Sequence, residues 1–100
     1  MKGNFNKIIN SATPVLVDYY AEWCAPCKAQ SPVIDNLANE AGTDIRIIKI
    51  DIDKNQAIAQ QQNVRGVPTL ALYKNGKQLW RQSGLHSKEQ LLNVIKLHTK

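Results

Sequence analysis

The only two cysteines of this chain, Cys24 and Cys27, stand three residues apart between an apolar run and a long helical pattern. Val15-Leu16-Val17-Asp18-Tyr19-Tyr20 is nearly continuous apolar and β-prone. That is the look of a strand covered on both faces, the parallel-sheet situation. Residues 23–40 read as a helix opening at the cysteines, with Ile34, Leu37, Ala38 and Ala41 as its inward stripe and Gly42 as its stop. Pro32 lies inside it and is expected to kink it. The cysteines therefore fall at a strand-to-helix junction, where their sulfurs can meet across one turn of backbone. Such a pair admits a reversible dithiol–disulfide couple, a permanent bridge, or half of a metal site. So short a loop constrains little chain entropy, which weakens the case for a permanent bridge. A zinc site needs two more ligands, and His86 and His98 are poorly spaced to supply them, so no metal is expected.

The remaining elements follow in order. Residues 4–10 can form a short helix with Phe5, Ile8 and Ile9 on one side. Residues 45–52, with five isoleucines, read as a second strand. Asp53 is expected to cap a short helix through Gln62, closed by Asn63 in the left-handed region. Residues 69–73 and 78–81 read as strands joined by Asn75-Gly76, which accepts positive φ at both turn positions. Ser87 with Gln90 forms a capping box, and the last helix is expected to bury Leu91, Leu92, Val94, Ile95 and Leu97. A strand, crossover helix and strand make a parallel βαβ unit, and the hairpin adds an antiparallel edge. The expected fold class is α/β: a small mixed sheet of about four strands with helices on both faces.

One hundred residues suit one domain, spanning residues 1–100. Hydrophobic residues at 43% and charged residues at 21% fit a globular chain without disordered segments. The formal net charge of +5 is scattered, with no run or stripe of Lys and Arg, so nucleic acid is not an expected partner. No apolar stretch approaches the ~20 residues of a membrane span. Residues 1–12 lack the apolar run of a secretory signal, and the expected location is cytoplasmic. A cysteine pair in a reducing compartment points to catalysis over a structural bridge.

Ala21-Glu22-Trp23-Cys24-Ala25-Pro26-Cys27-Lys28 resembles the active-site stretch of thioredoxins. Val15-Leu16-Val17-Asp18-Tyr19 resembles the strand that feeds that site, Pro32 the family's helix-kinking proline, and Ile48-Lys49-Ile50-Asp51 its next parallel strand. Val64-Arg65-Gly66-Val67-Pro68-Thr69 resembles the family's cis-proline loop, Lys74-Asn75-Gly76 its hairpin, and Gly84 a glycine beside the site. The match runs from about Asn4 to the C-terminus. Two departures stand out. Ala25 occupies a position where the family usually has glycine, and is expected to stiffen the turn and shift the redox potential. There is also no room for the strand that usually precedes the first helix, which leaves the strand at residues 45–52 as an edge.

The resemblance implies a protein-disulfide reductase in which Cys24 attacks and Cys27 resolves. Helix N-terminal amides would favour the Cys24 thiolate. Pro26 fixes φ between the sulfurs and suits an early helix position. Histidine just before the second cysteine marks the oxidising relatives, and Pro26 in that place points to a reductant. A docking or scaffold subunit is the other family use, against which the intact cysteines speak. The residues alone leave Asp18 equally readable as a solvated strand-end carboxylate or a desolvated base. The resemblance places it beneath Cys27 as proton acceptor, with Lys49 as its neighbour. For Pro68 the residues alone favour a trans bond, whereas the resemblance implies cis and a Val67 backbone open to an extended substrate. Trp23, Ala25, Pro26, Val67, Pro68 and Gly84 would form the substrate-binding patch. The implied partners are thioredoxin reductase, supplying electrons from NADPH, and disulfide-containing proteins. The chain itself is expected to bind no cofactor and to work as a monomer.

Overall fold

A computed structural model describes residues 4–99. The two ends of the expected 1–100 domain, and the place where a leading strand would have to sit, lie outside the described residues. The elements are α1 (Phe5–Ile9), β1 (Val15–Tyr20), α2 (Ala25–Ala41), β2 (Arg46–Asp51), α3 (Gln56–Gln61), β3 (Thr69–Lys74), β4 (Lys77–Ser83) and α4 (Lys88–His98). Four strands form one sheet in the order β2-β1-β3-β4. β1 runs parallel to β2, with Asp18 opposite Lys49, and antiparallel to β3, which pairs antiparallel with β4. The edge expected at residues 45–52 is β2.

Side-chain alternation along β1 explains the two layers. Val15, Val17 and Tyr19 face one core with Phe5, Ile9, Ile50, Ile58 and Tyr73. Leu16 faces the other, with Ile34, Leu37, Leu70, Leu72 and Leu91. α1 and α3 thus cover one face of the sheet, and α2 and α4 the other. Asp18 has the parity of Leu16 and so lies on the α2 side. In the first core Tyr19 and Tyr73 share a 2.8 Å hydrogen bond, and Tyr73 donates onward to Gln62. Burial raises both phenols above their ordinary titration range, Tyr19 the more strongly.

The turns follow their local chemistry. Asn75 and Gly76 have φ of 53° and 80°, the mirror-image turn that matches strand twist. Their amides also donate to Ser11 and Ile9, which seats the hairpin tip on the α1–β1 loop. Gly42 ends α2 at φ 58°, and Asn63 takes φ 55° after α3.

Four expectations change. The short helix is capped by Asn55 and not by Asp53. Asp51 accepts from the amides of Asp53 and Lys54, so an aspartate turn at the end of β2 occupies the first residues expected to be helical. β4 runs to Ser83 because its pairing with β3 continues to Thr69, whose hydroxyl lies 3.1 Å from that of Ser83. Leu97 is 74% exposed. Six residues beyond Leu91 on a helix, it points away from the face that Leu91 and Ile95 present. Ala38 is also exposed, and Gln30 takes a fully buried place one turn before Ile34.

The capping box of α4 is complete: Gln90 N–H donates to Ser87 Oγ at 3.1 Å, and Ser87 N–H to Gln90 Oε1 at 2.8 Å. Ser87→Ala is therefore expected to cost about 1 kcal/mol, read as a lower urea midpoint at unchanged slope. An unchanged midpoint would show that the box contributes nothing here.

Candidate functional site

The parallel crossover delivers the N-terminus of α2 to the carboxyl end of β1. Cys24 is the N-cap residue, with extended φ −91° and ψ 109°. An extended backbone at Cys24 is why the helix starts at Ala25 and leaves Trp23 in the preceding turn, two residues later than the sequence suggested. Cys24 Sγ accepts the Cys27 N–H at 3.2 Å, the place a serine or aspartate oxygen fills in other caps. Cys24 and Cys27 are joined in a disulfide, with Cα atoms 5.3 Å apart. Both are buried, packed with Ala21 and against Val67. Ala25 and Pro26 occupy the exposed outer side of the first turn.

Beside Cys27 is a cavity of about 540 Å³ whose lining also includes Asp18, Ser31 and Lys49. Asp18 is 1% exposed. Among the described residues its Oδ1 is the one buried side-chain oxygen or nitrogen with no hydrogen-bond partner. Desolvation raises its pKa from 3.8 to about 6; the Lys49 charge pulls it down and the Asp35 charge pushes it up. Lys49 lies opposite Asp18 in the parallel ladder, yet its ammonium binds Asp35 at 2.8 Å and Ser31 Oγ at 2.7 Å. It acts on Asp18 through its field, not through a hydrogen bond.

The other expected residues surround this centre. The Val67–Pro68 bond is cis. Gly66 C=O accepts from Thr69 Oγ1 at 2.7 Å, which ties the loop to the start of β3. Gly84, at φ 96°, donates its N–H to Pro68 C=O at 2.9 Å, bringing the β4–α4 loop beside the proline. Trp23 is 69% exposed, and its indole N–H donates to Asp53 at 2.8 Å. A Glu22–Lys54 pair at 3.2 Å runs alongside it. The loop after β2 thus orients the tryptophan, a role for Asp53 that the sequence did not suggest. Gln30 was also missed: its amide bonds both backbone groups of His86. Its one sequence signal is a polar residue four positions before Ile34, on the inward side of the helix.

Among the described residues no group of three or more His, Cys, Asp or Glu side chains is placed to hold a metal ion. No helix there is long and apolar enough to cross a membrane.

A cysteine pair capping the helix that follows a central strand, with a desolvated carboxylate below and a cis-proline beside it, defines a thiol–disulfide oxidoreductase. The thioredoxin family model matches residues 1–97. A thioredoxin from Haemophilus influenzae is 45% identical over 91 residues, covering 91% of this chain and 85% of that protein. One from Rickettsia felis is 40% identical over 89% of this chain and 85% of its own length. A mutant thioredoxin from Halobacterium salinarum superposes with a TM-score of 0.88 at 38% identity, covering all of this chain and 87% of the other. The chain belongs to the thioredoxin family, and its activity is protein-disulfide reduction.

The raised pKa of Asp18 carries a stability consequence. The folded protein holds this proton more tightly than the unfolded chain does, so ionising Asp18 opposes folding. The penalty is absent below about pH 4 and complete above about pH 6 to 7. Asp18→Asn is therefore expected to stabilise the oxidised protein at pH 8 by about 1–3 kcal/mol, with the gain vanishing near pH 4. Urea titrations at both pH values measure it. A gain independent of pH would assign the effect to packing.

Proposed function

We propose that this chain reduces protein disulfides in two exchange steps, with Cys24 as the attacking sulfur, Cys27 as the resolving one and Asp18 as the proton acceptor. The Cys24 thiolate attacks one sulfur of the substrate disulfide. The other substrate sulfur leaves as a thiolate and takes a proton from water. Asp18 then accepts the Cys27 proton while Cys27 attacks Cys24 Sγ, and the second substrate sulfur departs. Two electrons pass from the dithiol to the substrate, and the Cys24–Cys27 disulfide remains. The observation that carries this assignment is the shared cavity of Cys27 and the unpartnered Asp18 carboxyl, whose pKa near 6 suits proton exchange at neutral pH. The helix-terminal amide on Cys24 Sγ supports the division of labour, because it favours negative charge on that sulfur.

Trp23, Ala25, Pro26, Val67, Pro68 and Gly84 receive the substrate, an extended segment lying along the Val67 backbone. Lys49 tunes Asp18 by its field. A thioredoxin reductase restores the dithiol with electrons from NADPH, and the chain binds no cofactor of its own. Residues 1–100 work as one domain, a monomer in the cytoplasm.

In an insulin-reduction assay coupled to NADPH and thioredoxin reductase, Cys24→Ser is expected to give no turnover. Cys27→Ser is expected to accumulate a mixed disulfide through Cys24, detectable by mass spectrometry. Trapping through Cys27 in a Cys24→Ser background at an equal rate would reverse the assignment. Asp18→Asn should slow resolution of the mixed disulfide about a hundredfold while leaving the first attack nearly unchanged. An equal rate of resolution would remove Asp18 from the mechanism. Ala25→Gly is expected to alter the redox potential measured against glutathione, and identical potentials would leave Ala25 without that role.

A further inference from the structure

Gln30 is a fully buried polar side chain on the inward face of α2, three residues past the resolving cysteine. Its amide forms a closed pair with one residue of another element. Nε2 donates to His86 C=O at 3.0 Å, and Oε1 accepts the His86 N–H at 2.9 Å. A side chain here does what a neighbouring strand would do for that peptide. The loop it holds is tied at its other end as well, where Gly84 N–H donates to Pro68 C=O. His86 is further fixed by Nδ1 against Gly84 C=O at 3.0 Å, and by its ring meeting the Trp80 ring edge-on with centroids 5.4 Å apart. Between these anchors Leu85 stands 54% exposed.

We infer that Gln30 is a positioning residue for substrate recognition: it clamps the Gly84-Leu85-His86 loop against α2 so that Leu85, one residue past the Gly84–Pro68 hydrogen bond, borders the apolar patch. The inference rests on the proposed docking of an extended segment around Val67 and Pro68. An apolar side chain left in water on a loop anchored at both ends is a pre-organised contact, because little conformational freedom remains to be lost on binding. The occupant is a polypeptide with an apolar side chain flanking its disulfide. A small disulfide has nothing to place on Leu85. The clamp therefore governs affinity for protein substrates and not the sulfur chemistry, although Gln30 lies on the same helix as both cysteines.

Gln30→Met keeps the volume and deletes both hydrogen bonds. Its KM for insulin is expected to rise about five- to tenfold at little-changed kcat, with no matching loss in the rate toward a small aromatic disulfide. Amide exchange at His86 should accelerate in the same variant. Gln30→Glu supplies a second readout. As a neutral acid it can both donate and accept, as the amide does; as a carboxylate it sets an oxygen against His86 C=O. Its insulin KM, taken as a ratio to wild type so that the His86 imidazole is common to both, should approach one at pH 5 and rise at pH 8. That variant at acid pH carries the test if Gln30→Met does not fold. Leu85→Asp distinguishes the two levels of the argument. If it raises the insulin KM while Gln30→Met frees the His86 amide without changing that KM, the clamp is overturned and the docking surface stands. If Leu85→Asp leaves the insulin KM unchanged, this part of the docking surface fails and the clamp falls with it. An equal loss toward the small disulfide in Gln30→Met would place its effect in the sulfur chemistry and overturn the inference.

Discussion

β1 is hydrogen-bonded on both edges and covered on both faces, and the site inherits its precision from that burial. β2 fixes one edge and β3 the other. The residues from Val15 to Tyr19 are all buried. A strand so enclosed cannot slip by one residue without exchanging its two sets of side chains, one of which faces α2 and the other α1 and α3. Whatever is attached to its carboxyl end is therefore held to a fixed height above the sheet. Cys24 begins α2 four residues beyond that end, and the Cys24 N–H donates back to Ala21 C=O at 3.2 Å. The cis-proline enters from β3, the other neighbour of β1, so both halves of the site are referenced to the same strand.

The same enclosure makes Asp18 costly, and the cost has a chemical use. A buried carboxyl without a hydrogen-bond donor stays protonated to higher pH. The rest of the strand is apolar, so the fold gains nothing structural from a carboxyl at this place. It shares a cavity with Cys27, which is where the proposed mechanism uses it. Proteins keep such groups where activity needs them and offset them elsewhere. Here the offset is the rest of β1, whose apolar residues fill both cores.

The features that were legible in the sequence are those whose chemistry is local. The Asn75-Gly76 turn, the Ser87–Gln90 capping box and the helix stop at Gly42 each rest on partners within a few residues. The cysteine pair belongs to that group. Features that depend on distant chain were not legible. Gln30 meets His86 across 56 residues, and Trp23 meets Asp53 across 30. Nothing in either local window specifies the partner. The cis bond before Pro68 is intermediate: residue preference opposes it, and only the resemblance of the surrounding loop indicated it. The cap of α3 failed for a different reason. Asp51 and Asp53 are both good terminators, and the turn that Asp51 makes at the end of β2 takes up the residues around Asp53.

Lys49 shows why electrostatic roles are harder to read than positions. The ladder puts it directly opposite Asp18, and a direct ion pair would hold that carboxylate ionised through neutral pH. Asp35, one helical turn beyond Ser31 on α2, takes the ammonium instead. Its own charge also pushes the Asp18 pKa upward. The two residues thus act in opposition: the lysine field limits how far desolvation can raise Asp18, and the aspartate limits how far the lysine can lower it. A carboxyl locked in either protonation state could take a proton or return one, but not both. Held near 6, Asp18 suits the proposed mechanism, in which it would do each in turn as the sulfur pair opens and closes. The Lys49–Asp35 pair is therefore better understood as the setting of that balance than as a contribution to stability, which a partly exposed ion pair scarcely provides.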